Sequence, residues 1–90
     1  MKDTPTQSDT ERDYAAGYAR IMWYAQQARQ RGWRMSERQL VHEVMHRERA
    51  AQIREKSKLP IIGPDVKSAA WHRGQADALR ELLREQREER

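Results

Sequence analysis

Residues 71–85 read WHRGQADALRELLRE, and this segment carries the clearest helical pattern in the chain. At 100° per residue, its apolar and small side chains fall on one side of a helix and its charged side chains on the other. The first side consists of Trp71, Gln75, Ala78, Leu79, Leu82 and Leu83, and the second of Arg73, Asp77, Arg80, Glu81 and Arg84. Asp65 follows two prolines and is a suitable N-cap residue, so we predict a helix over residues 65–88.

A second helix is predicted over residues 10–31, where no proline interrupts the chain and alanine recurs. Thr10 and Asp13 resemble a capping box at its start, and Gly32 offers a C-terminal stop. Its apolar stripe consists of Tyr14, Tyr18, Ile21, Met22, Ala25 and Ala28.

A third helix is predicted over residues 36–57, because Ser36 and Gln39 have the spacing of a capping box. Leu40, Val41, Val44 and Met45 give this helix two turns of apolar face. The stripe fades after Met45, so we expect the second half to be solvated and held by charge pairs such as Arg47 with Glu43.

The remaining segments read as connections. Residues 1–9 are polar and predict a disordered tail, whereas residues 59–64 combine three aliphatic side chains with two prolines and a glycine. We interpret residues 59–64 as a loop that folds back onto the core, with a docking loop as the alternative. No segment alternates with period two, so no strand is predicted. The predicted fold is all-α: one domain over residues 10–88, a three-helix bundle or open helical arrangement with flexible ends.

Two of the helices share the pattern aromatic-x-x-Gly-x-Ala, at residues 14–19 and 71–76. A glycine inside a helix costs about 0.5–1 kcal/mol relative to alanine, so it usually has a structural reason. We predict that Gly17 and Gly74 mark places where another helix approaches closely.

The composition limits the size of the core. Of 90 residues, 37% are apolar and 36% are charged, and there is no phenylalanine. Chains of this length are marginally stable alone, which favours a homo-oligomer or a larger partner. The chain has no cysteine, so disulfides and cysteine-based zinc sites are excluded. No apolar run has the length of a membrane span and residues 1–9 do not resemble a secretory signal, so we expect a cytoplasmic protein without membrane contact.

His42-Glu43-Val44-Met45-His46 spells the HExxH signature of zincin metalloproteases. Two histidines one turn apart can hold Zn²⁺, and the glutamate can polarise a metal-bound water. The resemblance ends there, because Arg49 and Gln52 stand where metzincins have a glycine and a third histidine. We therefore interpret His42 and His46 as part of an exposed polar face, expect neither a cofactor nor catalysis, and keep a zinc metalloprotease as the remote alternative. His72, beside the stripe of residues 71–85, predicts a packed or pH-sensitive structural histidine.

The best functional signal lies in residues 14–35, which hold four arginines, no acid and five of the six aromatic side chains. Trp23 points about 180° from Tyr14, away from the apolar stripe of its helix. Arginine with tryptophan is typical of interface hot spots. The predicted partner-binding residues are Arg20, Trp23, Gln27, Arg31, Trp33 and Arg34. The alternative is that this helix is central and that Trp23 belongs to the core.

Three kinds of partner suit a basic, aromatic surface. An acidic surface on another protein is our first choice, with a regulator or inhibitor as the function. Nucleic acid is the main alternative, because phosphates contact arginines and bases stack on aromatic rings. Ten acidic residues between positions 36 and 90 weaken that alternative. A second copy of the chain is the third candidate.

The segment Trp71-His72-Arg73-Gly74-Gln75-Ala76-Asp77-Ala78-Leu79 and the charged Arg/Glu tail are similar in character to small helical proteins encoded by phages and prophages. That resemblance implies an accessory protein that modulates or inhibits a host complex by stoichiometric binding.

Overall fold

A computed structural model describes residues 7–56 and 67–89, with side chains from residue 10 onward. It contains three helices, α1 (Gln7–Gln30), α2 (Glu37–Lys56) and α3 (Ala69–Glu88). These residues contain no strand, which confirms the all-α prediction. The predicted apolar loop over residues 59–64 and the first six residues of the predicted tail lie outside the described residues.

Helix α3 is the central element. It packs against both α1 and α2, while α1 and α2 do not approach each other within the described part of the chain. Contacts from Ser68 to Asp13 and from Arg29 to Glu85 show that α1 runs parallel to α3. The ion pairs Arg73–Glu55 and Arg87–Glu37 show that α2 runs antiparallel to α3. The segment with the strongest amphipathic pattern therefore takes the position with two neighbours, and α1 is not the central helix.

The two helical glycines meet at the crossing of α1 and α3. A Cβ atom added to Gly17 would lie 2.9 Å from the carbonyl carbon of Trp71, and one added to Gly74 would lie 2.9 Å from that of Tyr14. Each glycine thus faces the backbone carbonyl of the aromatic residue in the other copy of the shared pattern. The prediction of close helix approach at both glycines is confirmed, and the two approaches are the same contact seen from either side.

The loop between α1 and α2 is fixed at both ends by local hydrogen bonds. Gly32 has a φ of 72°, and the Trp33 and Gly32 amides donate to the Ala28 and Arg29 carbonyls at 2.9 and 3.0 Å. This pair of bonds is the Schellman motif that ends a helix. The Gln39 amide donates to Ser36 Oγ at 3.2 Å, and the Ser36 amide donates to Gln39 Oε1 at 3.0 Å. The predicted stop and the predicted capping box are confirmed.

The starts of the other two helices differ from the predictions. Ser68, not Asp65, is the N-cap of α3: its Oγ accepts from the Trp71 amide at 3.2 Å and donates to Asp13 at 2.8 Å. The bond to Asp13 ties the cap to α1, a tertiary contact that no local pattern contains. Helix α1 begins at Gln7, so residues 7–9 are helical and not part of a disordered tail as predicted, and Thr10 lies inside the helix and is not its cap.

The core is small and rich in alanine. Its buried apolar residues are Leu40, Ala51, Ala76, Ala78 and Leu79, and Gln75 is buried beside them. Ala51 is fully buried, so the second half of α2 packs against its neighbour and is not simply solvated as predicted. The predicted ion pair between Arg47 and Glu43 is present at 3.3 Å. Small side chains let α2 and α3 approach where the sequence offers no large apolar residue.

Candidate binding groove

A groove opens between α1 and α2 at the end of the molecule that carries the loop of residues 31–36. Its volume is about 560 Å³, within the range of roughly 300–1,000 Å³ that ligand-binding clefts occupy. Leu40 and Leu79 in its lining are almost fully buried, and Leu82 lies half-buried beside them. The apolar floor exists because α1 and α2 both pack on α3 without meeting each other.

The loop of residues 31–36 forms one end of the groove and is held by α3. The Gln86 amide donates to the Met35 carbonyl at 2.5 Å, and Arg34 pairs with Glu89 at 2.6 Å. The turn at Gly32 places Trp33 in the groove lining with 56% of its surface exposed. An indole of this exposure, held on an anchored loop, is available to a partner without rearrangement of the fold.

An aromatic cluster lies along the α1 side of the groove. Tyr24 lines the groove, and the Trp23 ring meets it edge to face at 5.3 Å between centroids. The Arg20 guanidinium lies 5.0 Å from the centre of the Tyr24 ring on the same helix. Trp23 is 54% exposed and Tyr24 is 49% exposed, so the cluster extends the groove onto the surface. The alternative in which Trp23 belongs to the core is wrong.

The charges around the groove are unevenly matched. Three acidic residues line it, and each is already bound by an arginine of this chain: Glu85 by Arg29, Glu89 by Arg34, and Glu43 by Arg47. Arg31 and Arg20 are exposed and make no ion pair among the described residues. The unmatched charge at this edge is therefore positive.

The predicted binding residues converge on this groove. Gln27, Arg31, Trp33 and Arg34 line it, whereas Trp23 and Arg20 lie outside its lining and reach it through Tyr24. Tyr24 itself was missed, although its position next to Trp23 and four residues after Arg20 was a usable signal. The contributions of Leu40, Leu79 and Leu82 come from packing between helices and have no signal within residues 14–35.

The HExxH residues lie elsewhere. His42, His46 and Arg49 are exposed, whereas Leu40 is buried, which confirms the exposed polar face. The part of the chain that the structure describes contains no group of three side chains that could hold a metal ion. The third ligand that a catalytic zinc requires is therefore not brought to His42 and His46 by these residues.

Comparison with protein-family models, with curated proteins and with solved structures found no match to this chain. Among the described helices, none has the length and apolar character needed to cross a membrane.

Proposed function

We propose that this chain is a small protein-binding module, and that its groove accepts an acidic, partly apolar segment of another protein. The observation that carries the proposal is a preformed groove with an apolar floor, bordered by two exposed tryptophans and by unmatched arginines. A protein of this kind acts by stoichiometric binding, as a regulator or an inhibitor does. The phage-like character of the chain would place the partner in a host complex.

The aromatic edge supports a protein partner. Trp23 and Trp33 are both more than half exposed, at 54% and 56%, and Trp23 packs against the groove residue Tyr24. Tryptophan, tyrosine and arginine are the residue types most enriched among interface hot spots. Their amphipathic rings bury a large area when a partner covers them and tolerate water when the partner is absent.

The charges support an acidic partner. Since the groove acids already bind Arg29, Arg34 and Arg47, a partner meets the guanidinium groups of Arg20 and Arg31, which make no ion pair among the described residues. Carboxylates on the partner can form charge-assisted hydrogen bonds with these groups. Rim charges of this kind steer association and select partners more than they add affinity.

The same charges favour protein over nucleic acid. Glu43, Glu85 and Glu89 line the groove, and each would lie close to any phosphate drawn there. A nucleic-acid strand also needs a continuous basic track, and these three carboxylates interrupt such a track along the groove. Nucleic-acid binding is the alternative outcome of the test.

The test is capture of the tagged chain and its partners from nuclease-treated lysate. Trp33→Ala and Arg31→Glu alter the groove, and Arg49→Glu is the matched control, because Arg49 is exposed on α2 outside the groove. We expect one partner to be retained by wild type and by Arg49→Glu and lost by both groove variants. Equal capture by all four proteins would refute the groove as the binding surface.

The same capture from lysate without nuclease separates protein from nucleic acid. A partner that is retained only without nuclease, with an affinity that falls linearly with the logarithm of salt concentration, would favour nucleic acid. Sedimentation of the purified chain tests the homo-oligomer, since a second copy in the groove would be lost in Trp33→Ala.

A further inference from the structure

Away from the groove lining, α2 and α3 enclose a set of polar atoms that have no hydrogen-bond partner. They are Arg47 Nε, Arg54 Nε, His72 Nδ1 and Gln75 Oε1, all buried, and none has a partner among the described residues. Gln75 is only 3% exposed. Nearly all buried polar groups in native proteins are paired, so four orphaned atoms on two adjoining helices require an explanation.

These four residues form one cluster, which we name the cationic cluster. Arg47 and Arg54 are seven residues apart and so lie on the same side of α2, about 10 Å apart along its axis. His72 and Gln75 are one turn apart on α3. Arg47, Arg54 and His46 are near enough to His72 to help burial lower the pKa of its imidazole. Two arginines therefore face a half-buried histidine across the interface between the helices.

The described residues supply too few carboxylates for this cluster. The four acids of α2 are all engaged by arginines: Glu37 by Arg87, Glu43 by Arg47, Glu48 by Arg80, and Glu55 by Arg73. Arg54 makes no ion pair or hydrogen bond within the described part of the chain. Of the lysines and arginines whose side chains are described, only Arg47 and Arg54 are not exposed. Of the two half-buried cations, Arg47 is bound by Glu43, and no described carboxylate binds Arg54.

We infer that the cationic cluster is a binding site for an oxyanion, a phosphate or a carboxylate group. The guanidinium N–H groups of Arg47 and Arg54 would donate to the oxygens of the anion, as arginines do at phosphate and carboxylate sites. His72 and the Gln75 amide, turned to present its NH₂ group, add donors from α3. The anion would join α2 to α3 by supplying the negative charge that both helices lack at this point.

Thermal unfolding of the full chain in phosphate, acetate or chloride of equal ionic strength tests the site. With phosphate or acetate well above its dissociation constant, the wild-type midpoint should rise by about 4 °C or more over its value in chloride. Arg54→Gln should lose this rise, while Arg49→Gln, an exposed neighbour on α2, should keep it. The general salting effect of phosphate on stability is shared by all three proteins and cancels in the comparison. A rise with phosphate alone identifies phosphate chemistry, and a rise with acetate identifies a carboxylate.

Arg54→Gln has a second expected signature. In chloride it should be at least as stable as wild type, because a half-buried charge without a partner has been removed. A rise in midpoint that is equal in wild type and in Arg54→Gln would overturn the site. A wild-type midpoint unchanged between chloride and both oxyanions would also overturn it.

Side-chain NMR of wild type tests the site without any variant. Added inorganic phosphate should shift the His72 imidazole signals saturably and leave those of exposed His42 in place. Equal shifts at both histidines, or none at either, would contradict specific binding at the cationic cluster.

Discussion

The two ends of the α1–α3 pair differ in how closely the helices are packed. At Gly17 and Gly74 the helix backbones touch, with no room for a single carbon atom. At the other end the helices leave a groove of about 560 Å³ lined by Tyr24, Trp33 and arginines. The glycines fix where α1 and α3 cross, and the groove is open because α1 and α2 pack on α3 without meeting each other. Close backbone packing lies at the closed end, and binding is assigned to the open end.

The closed end is most sharply tested by Gly17→Ala and Gly74→Ala. At an uncrowded helical site, glycine to alanine stabilises by about 1 kcal/mol. Here the new Cβ atom meets a backbone carbonyl, so we expect a loss of about 3 kcal/mol in the free energy of unfolding. Urea denaturation measures it. Stabilisation by either substitution would mean that the two helices do not cross at the glycines.

Substitutions at the open end should weaken partner binding and leave the free energy of unfolding largely unchanged. Trp23→Ala and Trp33→Ala should each weaken partner binding by about 2 kcal/mol while the fold is retained. Titration calorimetry with the captured partner gives the affinity, and circular dichroism gives the helicity. Loss of helicity in Trp23→Ala would place that residue in the core and remove it from the interface.

The two N-cap serines, one at each end, should give smaller losses in the free energy of unfolding when they are replaced. Ser36→Ala, at the open end, should cost about 1 kcal/mol, the typical loss for an N-cap. Ser68→Ala, at the closed end, should cost about 2 kcal/mol, because its hydroxyl also donates to Asp13 of α1. Chemical denaturation of both variants gives the two losses in the free energy of unfolding. Equal losses would show that the bond from Ser68 to Asp13 does not add to stability.

The smallest effect concerns His72 and pH. Burial and the nearby Arg47, Arg54 and His46 hold its pKa below the ordinary value of 6.5. The unfolded chain therefore takes up this proton first, and stability should fall as pH drops through 6.5 toward the lower pKa of the folded state. Denaturation between about pH 8 and pH 5 should show a steeper loss in wild type than in His72→Asn. His42→Asn, a change at an exposed histidine, should keep the wild-type slope.

Local chemistry made the closed end and the loop predictable. A glycine inside a helix lowers stability, so Gly17 and Gly74 predicted close helix packing, and the structure places both at the crossing of α1 and α3. The capping box of Ser36 and Gln39 and the stop at Gly32 use bonds within a few residues, so the sequence contains every partner. The cap and the stop depend only on neighbours along the chain, and the two glycines are recognisable from their local cost inside a helix.

The groove and the start of α3 depend on contacts between distant residues. Ser68 was overlooked in favour of Asp65 because its bond to Asp13 spans 55 positions in sequence. Residues 14–35 identified one edge of the groove, but its floor at Leu40 and Leu79 comes from the other two helices. Tyr24 lies within that segment, but its place in the groove lining depends on α2 and α3, which residues 14–35 do not include.

If the groove edge contacts the partner, site-specific photo-crosslinking from that edge should capture it. A photoreactive residue is placed at Trp33, in the groove lining, or at Ile53, which is equally exposed at 58% but lies on α2 outside the groove. We predict a crosslink to one protein partner from position 33 and none from position 53. A crosslink from position 53 alone, or crosslinks of equal yield from both, would contradict the account.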